Sequence, residues 1–307
     1  MTISDMNEFG GTWTQNKLQI LRGYLESYTT ALKKQDFNLV YVDAFAGTGY
    51  INPNSPDEKQ AQPVWGEELD EEAREFFKGS TRLALEVADR PFDKFLFIEQ
   101  NRSFIGALNA LKEEFADREI QTWPGDANDV LRLWCEVQSE RLGTPWWGER
   151  AVIFLDPFAT EVEWTTVSAI AATKSVDVWI LFPISALTRN LPTERLPYPG
   201  NATMLDRVYG GAEWRNLYRA VKPPPTQLGM FEEVRTSEEQ LIRDEQRAIV
   251  EVYLDKLRTI FPAVSQRPKW FYNSRNSPLF AFMFAAANPG TGGKIALDIA
   301  NYLLDRW

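Results

Sequence analysis

The stretch NLVYVDAFAGTG, residues 38–49, decides the fold of this chain. Its first residues are mostly aliphatic, aromatic or β-branched up to Val42, the pattern of a strand that is buried on both faces. Asp43 ends the apolar run, and Gly47 and Gly49 follow shortly after it. Glycine allows a backbone to bend sharply and to approach a ligand closely. The stretch therefore predicts a central strand followed by a tight turn beside a binding site.

Four more apolar runs follow this strand along the chain, at residues 94–99, 119–123, 151–158 and 177–183. Stretches with helical periodicity separate them, and such alternation predicts a parallel sheet with helices on both faces. Two final strands are predicted in the apolar stretches 269–274 and 279–287, which are joined by a short link. A link of this length forces an antiparallel hairpin.

The same patterns divide the chain into parts. Residues 13–34 carry apolar positions on one helical face, which predicts an N-terminal helical extension over residues 1–37. Residues 38–307 are predicted to form one α/β domain with a helical insertion at about 185–262. The predicted fold class is α/β and Rossmann-like: a seven-stranded, mostly parallel sheet with an antiparallel last strand and helices on both faces.

The composition excludes several classes of chemistry. The chain has no histidine and one cysteine, which excludes Ser-His-Asp catalysis, histidine metal centres and cysteine-based zinc sites, and we expect no metal. The net charge of −10 argues against indiscriminate nucleic-acid binding. The sequence shows no signal peptide and no apolar run long enough to span a bilayer, so we expect a cytoplasmic protein without membrane contacts.

An acidic residue stands at or just past the end of four successive predicted strands: Asp43, Glu99, Asp126 and Asp156. In an open parallel sheet the ligand binds beyond the carboxyl ends of the strands. Carboxylates around one cleft repel each other unless hydroxyls, amines or a positive charge of the ligand satisfy them. A ligand with a ribose, an adenine and an onium centre therefore fits better than a phosphate. The alternative for each acid is a helix cap, most plainly for Asp126.

This order of features resembles the class I S-adenosylmethionine-dependent methyltransferases, over roughly residues 38–183 for the sheet. The resemblance implies that the turn after the first strand cradles the methionine end and ribose of the cofactor, that Glu99 takes the ribose hydroxyls, and that Asp126 lies at the adenine. Ala46 stands where the commonest form of the turn has glycine, so a nucleotide binder that transfers no methyl group is the alternative. The cofactor-binding residues implied in this way are Asp43, Phe45, Ala46, Gly47, Thr48, Gly49, Glu99, Gln100, Asp126, Ala127 and Lys17.

The motif Asp156-Pro157-Phe158 resembles the Asp-Pro-Pro-aromatic motif of methyltransferases that act on exocyclic amines of bases, especially adenine in ribosomal RNA. The resemblance implies that these three residues are catalytic. A carboxylate and a backbone carbonyl would accept the amine protons, and the ring of Phe158 would stack on the base. The second proline of that motif is absent here. The alternative is that Asp156 caps a turn and that Phe158 packs in the core.

Blocks across nearly the whole chain resemble the three-Cys-motif partner (TcmP) family. Among them are FGGTWTQNKLQILRGYLESYTTALK at 9–33, LVYVDAFAGTGY at 39–50 and VIFLDPFA at 152–159. The family is methyltransferase-like and is named for association with a separate three-cysteine-motif protein, often on phage-related elements. The resemblance therefore implies such a partner for this chain.

These observations lead to one hypothesis of function and two alternatives. The leading hypothesis is an S-adenosylmethionine-dependent N-methyltransferase that acts on an exocyclic amine of a nucleobase in RNA or DNA. The second is a non-catalytic, cofactor-binding accessory subunit of the three-cysteine-motif partner, and the third is methylation of a small molecule or a protein. Lys17 also has two interpretations, since it could reach the cofactor carboxylate or the substrate from the first helix, or be a solvated lysine.

Overall fold

A computed structural model describes residues 11–48, 79–140, 148–221, 240–273 and 275–307. Gly49, one of the predicted cofactor-binding residues, lies outside these ranges. None of the helices in the described ranges combines the length and the apolar character that a membrane crossing requires.

The described elements alternate between strand and helix up to residue 190. The helices are α1 (Gly11–Ala31), α2 (Ser80–Leu85), α3 (Arg102–Glu114), α4 (Ala127–Glu140), α5 (Trp164–Ala172), α6 (Ile184–Asn190), α7 (Pro199–Tyr209), α8 (Gln246–Ile260) and α9 (Thr291–Arg306), with a 3-10 helix at Glu213–Leu217. The strands are β1 (Asn38–Asp43), β2 (Lys94–Glu99), β3 (Glu119–Pro124), β4 (Glu149–Leu155), β5 (Val176–Phe182), β6 (Tyr218–Val221), β7 (Gln240–Arg243), β8 (Ala263–Val264), β9 (Lys269–Tyr272) and β10 (Pro278–Ala286).

The main sheet has the strand order β3-β2-β1-β4-β5-β10-β8. Strands β1 to β5 are parallel, whereas β10 runs antiparallel to β5, as the short link before it requires. The predicted hairpin of β9 and β10 is confirmed. The short strand β8, for which no strand was predicted, also pairs with β10, so that the main sheet has eight strands among the described residues rather than the predicted seven. The predicted Rossmann-like α/β fold is therefore confirmed, with the outermost position of the sheet shared by β8 and β9.

Helices cover both faces of this sheet, which explains why its strands are almost continuously apolar. Successive side chains of a strand point to opposite faces. Val40 and Val42 of β1 accordingly pack in one core with α4, α5 and α8. Leu39 and Tyr41 pack in the other core with α1, α2, α3 and α9.

Helix α1 lies across the second face and reaches from the carboxyl ends of the strands to their amino ends. Its Lys17 meets Asp156, just past the carboxyl end of β4, whereas its Tyr24 hydroxyl donates a hydrogen bond of 2.7 Å to Asp177, near the start of β5. The ring of Tyr24 also contacts Trp179 and Phe284, with centroids 5.2 and 5.0 Å away. The aromatic contacts fix the helix on the sheet, so that its side chains reach both the carboxyl ends and the amino ends of the strands.

The segment predicted as an insertion contains α6, α7, the 3-10 helix and α8. It also contains β6 and β7, which pair antiparallel in a separate two-stranded sheet. Tyr253 of α8 stacks on Phe182 at the end of β5, with ring centroids 4.3 Å apart. The segment therefore packs against the same core as the central strands.

Candidate active site

The most buried charges of the predicted site are Lys17 and Asp156. The Lys17 ammonium lies 2.7 Å from Asp156 Oδ2, and the two side chains are only 1% and 4% exposed. The interpretation of Lys17 as a solvated lysine is therefore wrong. The periodicity of α1 places this residue off the apolar stripe. The fold nevertheless buries it, because it pairs with a carboxylate 139 residues away along the chain. A contact of Lys17 with the cofactor stays a prediction.

Burial and pairing act in opposite directions on these two groups. Burial lowers the pKa of Lys17 and raises the pKa of Asp156, because a low-dielectric surrounding disfavours the charged form of each. The opposite charge of the partner counteracts the effect of burial in both cases. Lys17 therefore holds the pKa of Asp156 below the value that burial alone would produce.

The second oxygen of Asp156 is in a different situation. Oδ1 is buried and has no hydrogen-bond partner among the residues that the structure describes. Buried polar atoms in folded proteins are nearly always hydrogen-bonded. An N–H donor from a ligand would satisfy this atom, and an exocyclic amine carries two such donors.

The other two residues of the predicted catalytic motif follow directly. Pro157 is buried, whereas Phe158 is half-buried. The backbone N–H of Phe158 donates to Glu161 Oε2 at 3.0 Å, which closes a short turn after Asp156. Phe158 therefore does not lie in the interior of the core, and stacking of its ring on a base stays a prediction.

The turn after β1 is held by Asp43. This carboxylate is fully buried and accepts hydrogen bonds from Ser80 Oγ at 2.6 Å, from Tyr41 Oη at 3.3 Å and from the backbone N–H of Phe45 at 3.4 Å. Burial raises the pKa of Asp43 to about 7, with a further increase from Asp156, while the hydrogen bonds from Ser80 and Phe45 and the charge of Lys17 lower it. Asp43 thus fixes the turn against α2. The sequence analysis missed Ser80, which begins that short helix.

Within this turn the structure explains why alanine stands at residue 46. Ala46 is 3% exposed, packs in the core on the α1 face and donates its N–H to the Ile98 carbonyl at 3.0 Å. Gly47 has a φ of 57°, in the left-handed region that favours glycine. Gly47 and Thr48 are half-buried. The turn therefore requires glycine at residue 47, whereas Ala46 fills a place in the core.

Glu99 connects the end of β2 to this turn. Its Oε2 accepts the Gly47 N–H at 2.9 Å, and its Oε1 accepts the Asn101 N–H at 2.6 Å. Burial raises the pKa of Glu99, and these backbone N–H groups, with that of Gln100, counteract the increase. A carboxylate offers about four acceptor positions, so that capacity for ligand hydroxyls remains beside the two bonds.

Asp126 caps α4, as its alternative interpretation stated. Its Oδ1 accepts the N–H groups of Asn128 at 2.8 Å and Asp129 at 3.2 Å. Gly125, just before it, has a φ of 156° and donates its N–H to the Glu99 carbonyl at 3.1 Å. Capping occupies one carboxylate oxygen of Asp126, and contact of Asp126 and Ala127 with an adenine stays a prediction.

A further acid, Glu161, belongs to the same edge of the sheet and was missed by the sequence analysis. Protein atoms around its carboxyl group raise its pKa by desolvation, although the residue is still open to solvent, and the charges of Asp126 and Glu99 raise it further. Asn128 Nδ2 donates to the Glu161 carbonyl at 2.9 Å, which joins α4 to the loop after β4. Glu161 follows the apolar run by several residues, so no local pattern connects it to the strand.

The candidate site thus consists of two neighbouring groups at the carboxyl edge of the sheet. A deep group contains Lys17, Asp43 and Asp156, and a shallow group contains Glu99, Asp126 and Glu161. The turn after β1 contacts acids of both groups, through Phe45 and Gly47. Such an arrangement attracts hydroxyl and amine donors and positive charge, and repels free phosphate.

Comparison with known proteins gives only distant similarity. No protein-family model matches the sequence, and no curated protein matches it. Among solved structures, a DUF519 family protein from Legionella pneumophila is 15% identical, with 94% of this chain and 91% of that chain covered at a TM-score of 0.47. An S-adenosylmethionine-dependent methyltransferase from Clostridium acetobutylicum is 8% identical, with 92% and 94% covered at a TM-score of 0.35. An rRNA methylase from Streptococcus thermophilus is 12% identical, with 73% and 94% covered at a TM-score of 0.28.

Because these similarities are weak, the strand order and direction define the class. Parallel strands in the order β3-β2-β1-β4-β5, followed by the reversed β10, give this chain the Rossmann-like α/β fold of the class I methyltransferases. Membership in the TcmP family is not shown by the comparisons and stays a prediction.

Proposed function

We propose that this protein is an S-adenosylmethionine-dependent N-methyltransferase that acts on an exocyclic amine of a nucleobase in RNA or DNA. The observation that carries this proposal is the buried Asp156, which is paired with Lys17 through one oxygen and has no partner within the described residues for the other. The residue pair lies at the carboxyl edge, where ligands of this class of sheet bind.

The residues of this edge fit the cofactor. The turn from Asp43 to Thr48 would hold its methionine end, Glu99 would accept from its ribose hydroxyls, and Asp126 with Ala127 would lie at its adenine. When bound, S-adenosylmethionine supplies an electrophilic methyl group on a sulfonium, whose positive charge suits a ring of acids. Phosphate is absent from this ligand, which agrees with the lack of a lysine in the turn.

Asp156 and Lys17 would orient the substrate amine. Asp156 Oδ1 accepts one N–H of the amine, which aims the nitrogen lone pair at the methyl group. As the new N–C bond forms, the bond between the methyl carbon and the sulfonium sulfur would break and leave a neutral thioether. The alkylated nitrogen would be acidic and would release one proton to Asp156 or to water, so that no strong base is required. Burial raises the pKa of Asp156, and Lys17 favours the ionised form because its charge opposes this effect.

A second candidate function rests on the net charge of −10. An acidic surface weakens binding to a polyanion. This favours an arrangement in which a separate protein, the three-cysteine-motif partner by family resemblance, carries the nucleic acid. In that case the chain would serve as a cofactor-binding accessory subunit without turnover.

Calorimetric titration with S-adenosylmethionine and transfer of a labelled methyl group to RNA and DNA from cells that lack the protein test the proposal. Asp156→Asn should reduce transfer at least about a hundredfold and leave cofactor affinity unchanged. The matched control is Asp305→Asn, which changes an exposed aspartate of α9 and should leave both unchanged.

The outcomes separate the candidates. A well-folded protein that does not bind the cofactor would rule out both functions. Cofactor binding without transfer to any nucleic acid, with or without the partner, would favour the accessory subunit. Where transfer occurs, mass spectrometry of nucleosides from cells with and without the protein would name the modified base.

A further inference from the structure

A cavity of about 330 Å³ lies at the amino ends of the strands, opposite the candidate active site and near the starts of β4 and β5. Its walls include Tyr28 of α1, Phe37, Arg150 of β4, Asp177 of β5, and Ala296 and Ile299 of α9. Pockets that bind small molecules have volumes from about 300 Å³ and combine apolar walls with a few placed polar groups. This cavity meets both criteria, and none of its lining residues belongs to the candidate active site.

Two acceptor or donor groups in the wall have unused capacity. Asp177 is 6% exposed, and its Oδ2 accepts from the Tyr24 hydroxyl at 2.7 Å, whereas no hydrogen bond to its Oδ1 occurs among the described residues. Tyr28 is also 6% exposed, and its hydroxyl is buried without a hydrogen-bond partner in the described part of the chain. Because buried polar groups are usually satisfied, the Tyr28 hydroxyl points to a ligand, and the Asp177 carboxylate beside it offers further acceptor positions.

The third polar group is the guanidinium of Arg150. It lies 4.3 Å from the centre of the Phe37 ring and donates to the Glu149 carbonyl at 2.8 Å. Burial raises the pKa of both Asp177 and Tyr28, and the charge of Arg150 counteracts the increase in each, because the three groups lie within electrostatic reach of one another. The wall therefore presents opposite charges, and the negative one, on Asp177, is almost completely shielded from solvent.

We propose that this cavity binds a zwitterionic amino acid with an apolar side chain. The ammonium group pairs with Asp177, and the carboxylate pairs with Arg150 and accepts from the Tyr28 hydroxyl. The side chain packs against Phe37 and Ile299. A zwitterion complements both charges of the wall at once, whereas a ligand of one charge is attracted by one of these groups and repelled by the other.

Calorimetric titration of the full chain with L-leucine, at about pH 8 so that Asp177 with its pKa of about 7 is ionised, tests this proposal. L-Leucine should bind saturably. The amine and the acid that share its side chain, isoamylamine and 4-methylpentanoate, should bind at least about tenfold more weakly, because each lacks one charge-assisted contact. L-Phenylalanine and L-methionine extend the series to other apolar side chains.

Two variants locate the ligand in the cavity. Asp177→Asn removes the charge while an acceptor for Tyr24 remains, and Ala296→Leu fills part of the space from α9. Each should weaken binding of L-leucine at least about tenfold. Asp298→Asn, a matched change of an exposed aspartate on the same helix, should not.

Absence of saturable binding for all three amino acids would overturn the proposal. So would equal binding of isoamylamine or 4-methylpentanoate, and so would unchanged binding to a folded Ala296→Leu variant. The ligand series uses the native chain, so it decides the matter even if Asp177→Asn does not fold. None of these outcomes depends on methyl transfer, so the proposed function stands or falls separately.

Discussion

At the scale of single residues, Lys17 and Asp156 show how a buried charge depends on its counterion. The two groups are almost completely enclosed, and each is disfavoured in its charged form by its surroundings. A pair of this kind contributes little net stability, but loss of one member leaves the other charged and unpaired. Under the proposed function, Lys17 therefore acts through Asp156.

Lys17→Met tests this dependence. Without the ammonium, burial raises the pKa of Asp156 further, so that Asp156 becomes protonated at a higher pH and then accepts from the amine more weakly. We expect methyl transfer to fall at neutral pH and the acidic limb of its pH profile to move to higher pH. The free energy of unfolding at neutral pH should fall by about 3–5 kcal/mol.

The matched control is Lys33→Met, which removes a half-exposed lysine that pairs with Asp89 on the surface. Its pH profile should equal that of the native protein, and its stability should change by less than about 1 kcal/mol. An unaltered pH profile in a folded Lys17→Met variant would contradict the assigned role of Lys17.

At the scale of elements, the caps of α3 and α4 separate structural from ligand contacts. Asn101 caps α3 through a hydrogen bond of 3.0 Å from the Ser103 N–H, and Asp126 caps α4 through the N–H groups of Asn128 and Asp129. The two caps are similar in chemistry, but only Asp126 belongs to the predicted adenine contacts. The pair therefore offers a matched comparison.

Asp126→Ala and Asn101→Ala should each lower the free energy of unfolding by about 1 kcal/mol, because each removes a side-chain cap. Only Asp126→Ala should also weaken binding of S-adenosylmethionine, by about tenfold for the loss of one charged hydrogen bond. Denaturant unfolding and calorimetry measure the two effects. Equal cofactor affinity in both variants would mean that Asp126 is a cap and nothing more.

Two glycines in helices differ in the space around them. A Cβ atom at Gly106 in α3 would meet no atom within 4 Å, whereas a Cβ atom at Gly293 in α9 would collide with the backbone carbonyl of Asn288. Gly106→Ala should therefore raise the free energy of unfolding by about 0.5–1 kcal/mol, through a smaller loss of backbone entropy. Gly293→Ala should lower it by about 1–3 kcal/mol, because the chain must shift to admit the methyl group.

Thermal unfolding of the two variants beside the native protein checks this contrast. Stabilisation by both substitutions would show that α9 can move away from the turn at Asn288. Destabilisation by both would show that the exposed face of α3 makes contacts that the described residues do not contain.

At the scale of the whole molecule, buried carboxyl groups determine how stability depends on pH. Burial raises the pKa of Asp177 and of Asp43 from an ordinary 3.8 to about 7, so the folded chain binds protons more tightly than the unfolded chain. The contribution of each group to the free energy of unfolding is complete below the pKa that the group has in the unfolded chain. It is lost as the pH rises through the pKa that the group has in the folded chain. We expect the free energy of unfolding to fall between about pH 4 and pH 7.

Asp177→Asn should reduce this fall, because an amide does not titrate in that range, whereas Asp298→Asn should leave it unchanged. Urea unfolding at a series of pH values measures the slopes. A native protein whose stability rises between pH 4 and pH 7 would contradict the raised pKa values of Asp43 and Asp177.

The sequence by itself determined the alternation of strands and helices up to β5, the reversed hairpin and the glycine turn after β1, because these features follow from local periodicity and backbone sterics. It also placed acids at the ends of four strands, since parallel strands share a carboxyl edge. Only the tertiary structure decided what those acids contact. Lys17 is buried against Asp156, Glu161 joins Glu99 and Asp126, and Asp177 faces a cavity at the other edge. These contacts join residues far apart in the chain, and burial and charge depend on such neighbours rather than on local sequence.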